Sequence, residues 1–183
     1  MPRISVKEAI LEAAFEIIEN GSSNELTVDA VIARAGVSKG GFFHHFKTKD
    51  ALLATMVDWL LRSFEKDLPA DATPTSTSKE AFDAYVAHGF SGGGAAARYR
   101  SGVVVLAIAA HHPKLLEPIR DFFRKRSAAI QKNVSNPSTA LAAMVLADGL
   151  WIFDALGIPP VTGKQRKEVQ KAVLDWIHET QRV

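Results

Sequence analysis

Cysteine is absent from the sequence, which excludes a disulfide framework, a thiol nucleophile and a cysteine-ligated zinc site. Long apolar runs are also missing. The longest uncharged one, Gly102 to Ala110, falls far short of the ~20 residues a membrane span needs, so no membrane partner is expected. The chain opens Met-Pro-Arg-Ile-Ser without the apolar core of a secretory signal, and none is expected. Neither sign of charge dominates: Lys and Arg number 22 and Asp and Glu 20, a net +2, too little to imply a nucleic-acid partner by itself. No H-E-x-x-H, G-x-S-x-G or P-loop pattern occurs. The glycine run Gly92–Gly94 has neither a preceding strand nor a following Gly-Lys-Ser/Thr, so it is not a phosphate loop. Serine, threonine and aspartate occur without a spacing that picks out a triad. The histidines stand as His44-His45, His111-His112, His88 and His178; neighbours at i and i+1 do not share a helix face, so neither pair is a helical chelate. No metal, cofactor or catalytic residue is expected, and the protein is not read as an enzyme.

A hydrophobic content of 47% over 183 residues describes a folded chain of one or two small domains. Its organising stretch is Thr27 to Phe46, TVDAVIARAGVSKGGFFHHF. Thr27 and Ser38 are N-cap residue types, each just ahead of a helical pattern. Asp29 suits the positive end of the first helix. Val28, Val31, Ile32 and Ala35 fall at i, i+3, i+4 and i+7 and form one apolar face. Gly36 admits a left-handed turn, Val37 plugs the corner, and Phe42 and Phe46 bury one side of the second helix. Helix, short glycine turn, helix is the layout of a DNA-binding helix-turn-helix, and also of an ordinary helical hairpin. Charge separates the two. From Arg34 to Lys49 the formal charges are all positive (Arg34, Lys39, Lys47, Lys49), whereas the upstream stretch holds Glu8, Glu12, Glu16, Glu19, Glu25 and Asp29 against Arg3 and Lys7. The second helix also opens Ser38-Lys39-Gly40-Gly41. Small residues there allow close approach to a backbone or a phosphate; in a merely solvated helix each glycine costs about 1 kcal/mol against alanine.

The stretch Gly36-Val37-Ser38-Lys39-Gly40-Gly41-Phe42-Phe43-His44-His45-Phe46-Lys47-Thr48-Lys49-Asp50-Ala51-Leu52-Leu53 resembles the recognition-helix signature of TetR-type transcription regulators. Thr27-Val28-Asp29 and the helix upstream fit as well; the rest of the chain matches in length and helical character. One departure is Phe43, where the family often has a tyrosine: this side chain has no hydroxyl to offer a phosphate. The resemblance implies an all-α protein of the bacterial cytoplasm, with a helix-turn-helix domain over 1–50 and a helical ligand-binding and dimerisation domain over 51–183, the boundary falling inside the fourth helix. It also implies a homodimer on double-stranded DNA at a palindromic operator, released by a small-molecule effector. Lys39, Gly40, Gly41, His44 and His45, with Phe43, are then expected at the major groove and its flanking phosphates, and Thr27, Ser38, Lys47 and Lys49 on the backbone. Lys39 is the expected base contact, since lysine donates to guanine O6 or N7.

Along the chain, Ser5 to Glu8 reads as a capping box ahead of a helix with Val6, Ile10, Ala13, Ala14, Ile17 and Ile18 as its buried stripe, ended at Asn20-Gly21. Thr48 caps a fourth helix over Lys49–Asp67, whose apolar face runs from Leu52 to Phe64. A Pro-, Ser- and Thr-rich loop follows from Pro69. A fifth helix opens at Ser78 or Lys79, and a sixth runs from Ala95 to Ala110 as a core helix. Pro113 opens the next, with Leu115, Leu116, Ile119, Phe122, Phe123 and Ile130 inward and Arg120, Arg124, Lys125, Arg126 and Lys132 outside. Thr139–Leu156 is apolar nearly all round, which requires burial on more than one side. With the Pro113–Lys132 helix it is the expected dimer face, Ala143 being its test position. The last helix carries Val169, Val173, Trp176 and Ile177.

Phe82, Tyr85, Phe122, Trp151 and Phe153 are candidate linings of an interhelical pocket, with Tyr85, His88 or Asp148 orienting a largely apolar or aromatic effector. The competing reading is an all-helical small-molecule-binding protein or enzyme with a purely structural N-terminal hairpin.

Overall fold

The computed structural model describes residues 4–21, 23–67, 77–91 and 96–180. The loop expected from Pro69, the glycine run at 92–94 and the Phe64 side chain lie outside the described residues. Among the described residues all regular structure is helical: α1 (Val6–Asn20), α2 (Val28–Ala35), α3 (Lys39–His45), α4 (Lys49–Asp67), α5 (Lys79–Gly89), α6 (Ala96–Ala110), α7 (Glu117–Asn133), α8 (Pro137–Ala155) and α9 (Gly163–Thr180), with 3-10 turns at Ser23–Glu25 and Pro113–Leu116. The chain forms two compact units, Met1–Leu60 with Ala97–Glu117 and Leu61–Ala96 with Pro118–Val183. The division falls within α4, and most of α6 belongs to the first unit.

In the first unit, local chemistry sets each helix start. Ser5 and Glu8 form the reciprocal capping box, the Glu8 amide donating to Ser5 Oγ at 3.2 Å and the Ser5 amide to Glu8 Oε2 at 2.9 Å, which satisfies two otherwise orphaned donors. The α1 stripe of Ile10, Ala13, Ala14, Ile17 and Ile18 is buried together with Phe15, while Val6 in the first turn is exposed. This stripe packs on α2 and α3, and Phe15 meets Trp59 of α4 with ring centroids 4.7 Å apart. In α6, Ser101, Val105 and Ala109 are all fully buried; a repeat of four residues keeps them on one face. Ser101 Oγ donates to Glu19 Oε1 of α1 at 3.1 Å, so the one polar member of that stripe has a partner.

The second unit is built around α8. Pro137 occupies its first turn, and the Thr139 amide donates to the Asn136 side chain at 3.3 Å. One part of the core joins Phe82, Tyr85, Ile130, Ala140, Met144 and Ala147; the other joins Val86, Phe90, Ala143, Leu150, Val173 and Ile177. α5 and α8 approach closely at Gly89, where an added Cβ would stand 2.6 Å from the Ala147 Cβ and 2.7 Å from its carbonyl oxygen; only glycine fits this contact. Arg166 of α9 clasps the end of α5, donating through Nε to the Phe90 carbonyl at 2.7 Å and through Nη2 to the Gly89 carbonyl at 3.2 Å. The same guanidinium takes the Asp154 carboxylate in a two-pronged pair, the geometry to which arginine is suited.

Five expectations are corrected here. Pro113 opens a 3-10 turn, and α7 begins only at Glu117. Arg126 is not on the outside of α7 but 1% exposed: Phe122, Arg126 and Ile130 recur every four residues, so the arginine rides on the buried stripe, while Phe123 falls beside it and is exposed. Trp176 is likewise exposed beside buried Val173 and Ile177. Finally, α8 is buried on one side only within the protomer. Ala143 points into the core, whereas Val145, Leu146, Ile152, Phe153 and Leu156 are exposed, Val145 by 64%. By length and apolarity alone α8 would also pass for a membrane-crossing helix; in the fold it packs on α5 and α9.

Candidate nucleic-acid interface and effector domain

The candidate interface is the α2–α3 pair. Thr27 caps α2, its Oγ1 accepting from the Ala30 amide at 3.2 Å. Gly36 ends α2 at φ +64°, the left-handed conformation that costs a residue with a Cβ roughly 1–2 kcal/mol. Its amide and that of Val37 return to the Ala33 and Ile32 carbonyls, closing the turn. Ser38 then caps α3, its Oγ accepting from the Gly41 amide at 3.0 Å. Phe42 and Phe46 are buried, their rings tilted against each other with centroids 5.9 Å apart, while half-buried Phe43 meets Phe42 edge-on at 5.3 Å. The two phenylalanines inside α3 and at its end therefore fix which face of this short helix is left outward.

None of the sequence-derived interface residues is buried in the core of the first unit. Thr27, Ser38, Lys39, Gly40, His44, His45 and Lys47 are exposed, and Gly41, Phe43 and Lys49 are half-buried. His44 and His45 close α3, their rings edge-to-face at 5.0 Å. At Gly41 an added Cβ would press on Ser38 Oγ at 3.2 Å, so part of its requirement for glycine is internal. At Gly40 the nearest atom would be 3.9 Å away; nothing in the protein itself demands a glycine there. Arg34, in the last turn of α2, engages Glu16 of α1 at 3.3 Å. Thr48 caps α4 through the Ala51 amide at 3.1 Å. The first acid after the cationic stretch, Asp50, stands 3.8 Å from His112 at the end of α6.

In the second unit the effector-domain candidates separate. Tyr85 and Asp148 meet in the core, the phenol donating to Asp148 Oδ1 at 2.5 Å. Arg126, which periodicity could have identified, joins them: its guanidinium lies over the Tyr85 ring at 4.0 Å and within 6.0 Å of the Phe82 ring, the range of a cation–π contact. Burial pushes the Asp148 carboxyl up to about 6, against the opposing pull of the Tyr85 hydrogen bond and Arg126. Burial also raises the Tyr85 phenol well above its ordinary range, helped by Asp148, and lowers the Arg126 guanidinium. Phe82 and Phe122 are buried, His88 and Trp151 half-buried, and Phe153 lies on the exposed face of α8, apart from the Tyr85–Asp148 pair. A cleft of about 330 Å³ opens beside Phe82, with Lys79, Asn133, Val134, Ser135 and His178 around it. Another cleft, of about 500 Å³, lies in the first unit between the end of α1 and α2, and none of the effector candidates lines it. Among the described residues no cluster of His, Asp or Glu is arranged to hold a metal ion.

Known proteins resemble both halves of this chain. Residues 10–56 match the tetR family of bacterial regulatory proteins, and residues 79–178 match the tetracyclin repressor-like C-terminal domain. The HTH-type transcriptional regulator BetI of Cronobacter sakazakii is 30% identical over 182 residues, spanning 87% of this chain and 86% of its own. The BetI of Brucella anthropi is 27% identical over 175 residues, covering 86% and 87%. Among solved structures, a TetR transcription regulator from Haloarcula marismortui superposes with a TM-score of 0.70 at 14% identity, covering 95% of this chain and 97% of its own. The multidrug binding protein EbrR, complexed with imidazole, does so at 0.66 and 20%, covering 93% and 89%; both likenesses concern the fold. With a capped helix-turn-helix in one unit and a helical domain of the matching type in the other, the chain belongs to the TetR family and is a DNA-binding, ligand-responsive transcription regulator.

Proposed function

We propose that the protein is a homodimeric repressor that reads a palindromic operator with α3 and leaves it when a small, largely apolar or aromatic molecule binds the second unit. The observation that carries the reading is the outward face of α3. Lys39, Gly40, His44 and His45 are exposed on it, Lys47 follows, and no acid intervenes between Arg34 and Lys49. Lys39 contacts a base, and Gly40 admits the close approach for which the protein itself supplies no reason. Phe43 adds an apolar contact. Gly41, Thr27, Ser38, Lys47 and Lys49, with the two histidines, serve the backbone. Phosphate contacts set register and carry the salt dependence, while base contacts carry the preference.

One such helix reads too few base pairs alone, so two copies meet half-sites about 34–36 Å apart or a multiple of it. The exposed apolar face of α8, Val145, Leu146, Ile152, Phe153 and Leu156, is the surface that a second copy covers by two-fold symmetry. Phe153 thus serves the dimer rather than the pocket. The effector lies among Phe82, Phe122, Trp151 and His88, oriented by Tyr85 and Asp148, with Arg126 added to that set. No chemistry is assigned to these residues, and the protein acts by binding in the cytoplasm. A gel-shift titration of the full chain against the DNA upstream of its own coding region tests the reading: saturable, competitor-resistant retardation is the expected result. Binding indistinguishable from that of an unrelated duplex would sink it.

A further inference from the structure

The motif carries few of the side chains that read base edges by hydrogen bonding. Lys39 can serve guanine. Between Gly36 and Lys49 no asparagine or glutamine stands ready to grip adenine, and no aspartate or glutamate to accept from cytosine. The oxygens of Ser38 and Thr48 already accept the cap amides of Gly41 and Ala51, at 3.0 and 3.1 Å. What α3 does bring to the surface is one apolar ring, Phe43, which is half-buried where Phe42 is fully buried. Bases present one matching apolar group in the major groove, the 5-methyl of thymine. We infer that Phe43 is a specificity-determining residue that reads a pyrimidine 5-methyl group, so that each operator half-site carries a thymine beneath α3. The inference rests on the proposal that α3 is the DNA-reading helix.

The structure holds the ring ready for this contact. Phe43 meets Phe42 edge-on, with centroids 5.3 Å apart and planes at 83°, and Phe42 in turn rests against Phe46. A ring already braced by the core gives up little rotamer freedom on binding. Gly40 lies three residues before Phe43 and Lys39 four before, so both neighbour it on the helix surface. An added Cβ at Gly40 would meet nothing nearer than Ser38 Oγ at 3.9 Å, which leaves the space beside the ring open to a base edge. The missing hydroxyl also matters. A methyl group offers no hydrogen bond, so a polar group pressed on it would lose its water without compensation; Phe43 has no polar group to lose. Burying one methyl group is worth roughly fourfold in affinity. A two-fold dimer uses the contact twice, which brings the combined effect to about fifteenfold.

The test exchanges single methyl groups. An operator is selected with the full chain from a randomised duplex library, and binding is followed by fluorescence anisotropy. Deoxyuridine pairs as thymine does and lacks only the 5-methyl; it replaces each thymine of one half-site in turn, and then the related pair in both. Wild type is expected to lose about fourfold at one such position and about fifteenfold when both half-sites are changed. At that position 5-methylcytosine should be bound about fourfold more tightly than cytosine. Phe43→Ala should bind the thymine and deoxyuridine operators alike. Should that variant fail to fold, Phe43→His keeps a planar ring against Phe42, lacks the apolar edge, and should be equally indifferent. Lys39→Ala should bind more weakly yet keep the thymine preference. A wild type indifferent to every deoxyuridine, or a Phe43 variant as discriminating as wild type, would overturn the inference while leaving DNA binding intact. A selection that enriches no duplex would overturn the DNA-reading role of α3, and this inference with it.

Discussion

Single residues carry two separable kinds of charge work in this protein, one at the surface and one in the core. At the surface, Lys49→Ala should weaken binding to every duplex about equally and reduce the salt slope by about one unit, the signature of a lost phosphate contact. Lys39→Ala should also relax sequence preference; unchanged operator affinity in both variants would refute the assignment. In the core, Asp148 titrates against its burial. Its folded carboxyl is raised to about 6, so the folded state holds this proton more tightly than the unfolded chain does. The stabilisation is therefore complete below the ordinary aspartate pKa and is lost as pH rises from about 4 through about 6, by up to about 3 kcal/mol. Asp148→Asn keeps an acceptor for Tyr85 and cannot ionise. In urea unfolding, the stability of wild type relative to Asp148→Asn should fall across that window. A constant difference between the two would show that the carboxyl is not shifted. At Arg126 residue type and helical position conflict: a cation suggests the surface, but its spacing from Phe122 and Ile130 carries it onto the buried stripe.

At the scale of elements, helix starts and stops were legible because they depend on chemistry within a few residues. Ser5, Thr27, Ser38 and Thr48 all cap where their type and position in the sequence suggested. The outward and inward sides of α8 were not legible, because a helix apolar all round has no sequence contrast to orient it. The tertiary contacts place Ala143 in the core and Val145 outside, and the two positions now make opposite predictions. Val145→Asp should leave the protomer folded and convert a dimer to monomers in sedimentation velocity. Ala143→Arg should instead lower the melting temperature sharply, since a buried unpaired charge costs several kcal/mol. A Val145→Asp protein that sediments as wild type does would remove this face from the proposed interface.

For the whole molecule, regulation requires that effector and operator prefer different states of one protein. A ligand with equal affinity for both shifts nothing, however tightly it binds. Coupling is also reciprocal: if an aromatic effector weakens operator binding by some factor, the operator must weaken effector binding by the same factor. Paired titrations, operator affinity with and without the effector and effector affinity with and without the operator, should therefore return one number. A ligand that binds the second unit tightly yet leaves operator affinity unchanged would show that its site is not the switch. The chain route bears on this coupling. The chain passes from one unit to the other within α4 and at the start of α6; within the first unit α6 is tied to α1 by Ser101, and the turn after α6 meets α4 through His112.

Most of what depends on near neighbours along the chain was already decided by residue order: nine helices among the described residues, the caps at Ser5, Thr27, Ser38 and Thr48, the glycine turn at Gly36, and a cationic stretch free of acids over the motif, the start of α7 at Glu117 rather than Pro113 being the exception. Capping, helical periodicity and left-handed turns act over a few residues, and no distant contact is needed to set them. The tertiary structure alone decided which residues meet across long separations. It brought Tyr85 to Asp148 under Arg126, closed Arg166 on the end of α5, gave most of α6 to the first unit, and left one side of α8 uncovered. Those outcomes depend on how helices pack. The burial of an arginine or the exposure of a valine is settled by what lies opposite it, which periodicity within a single helix does not contain.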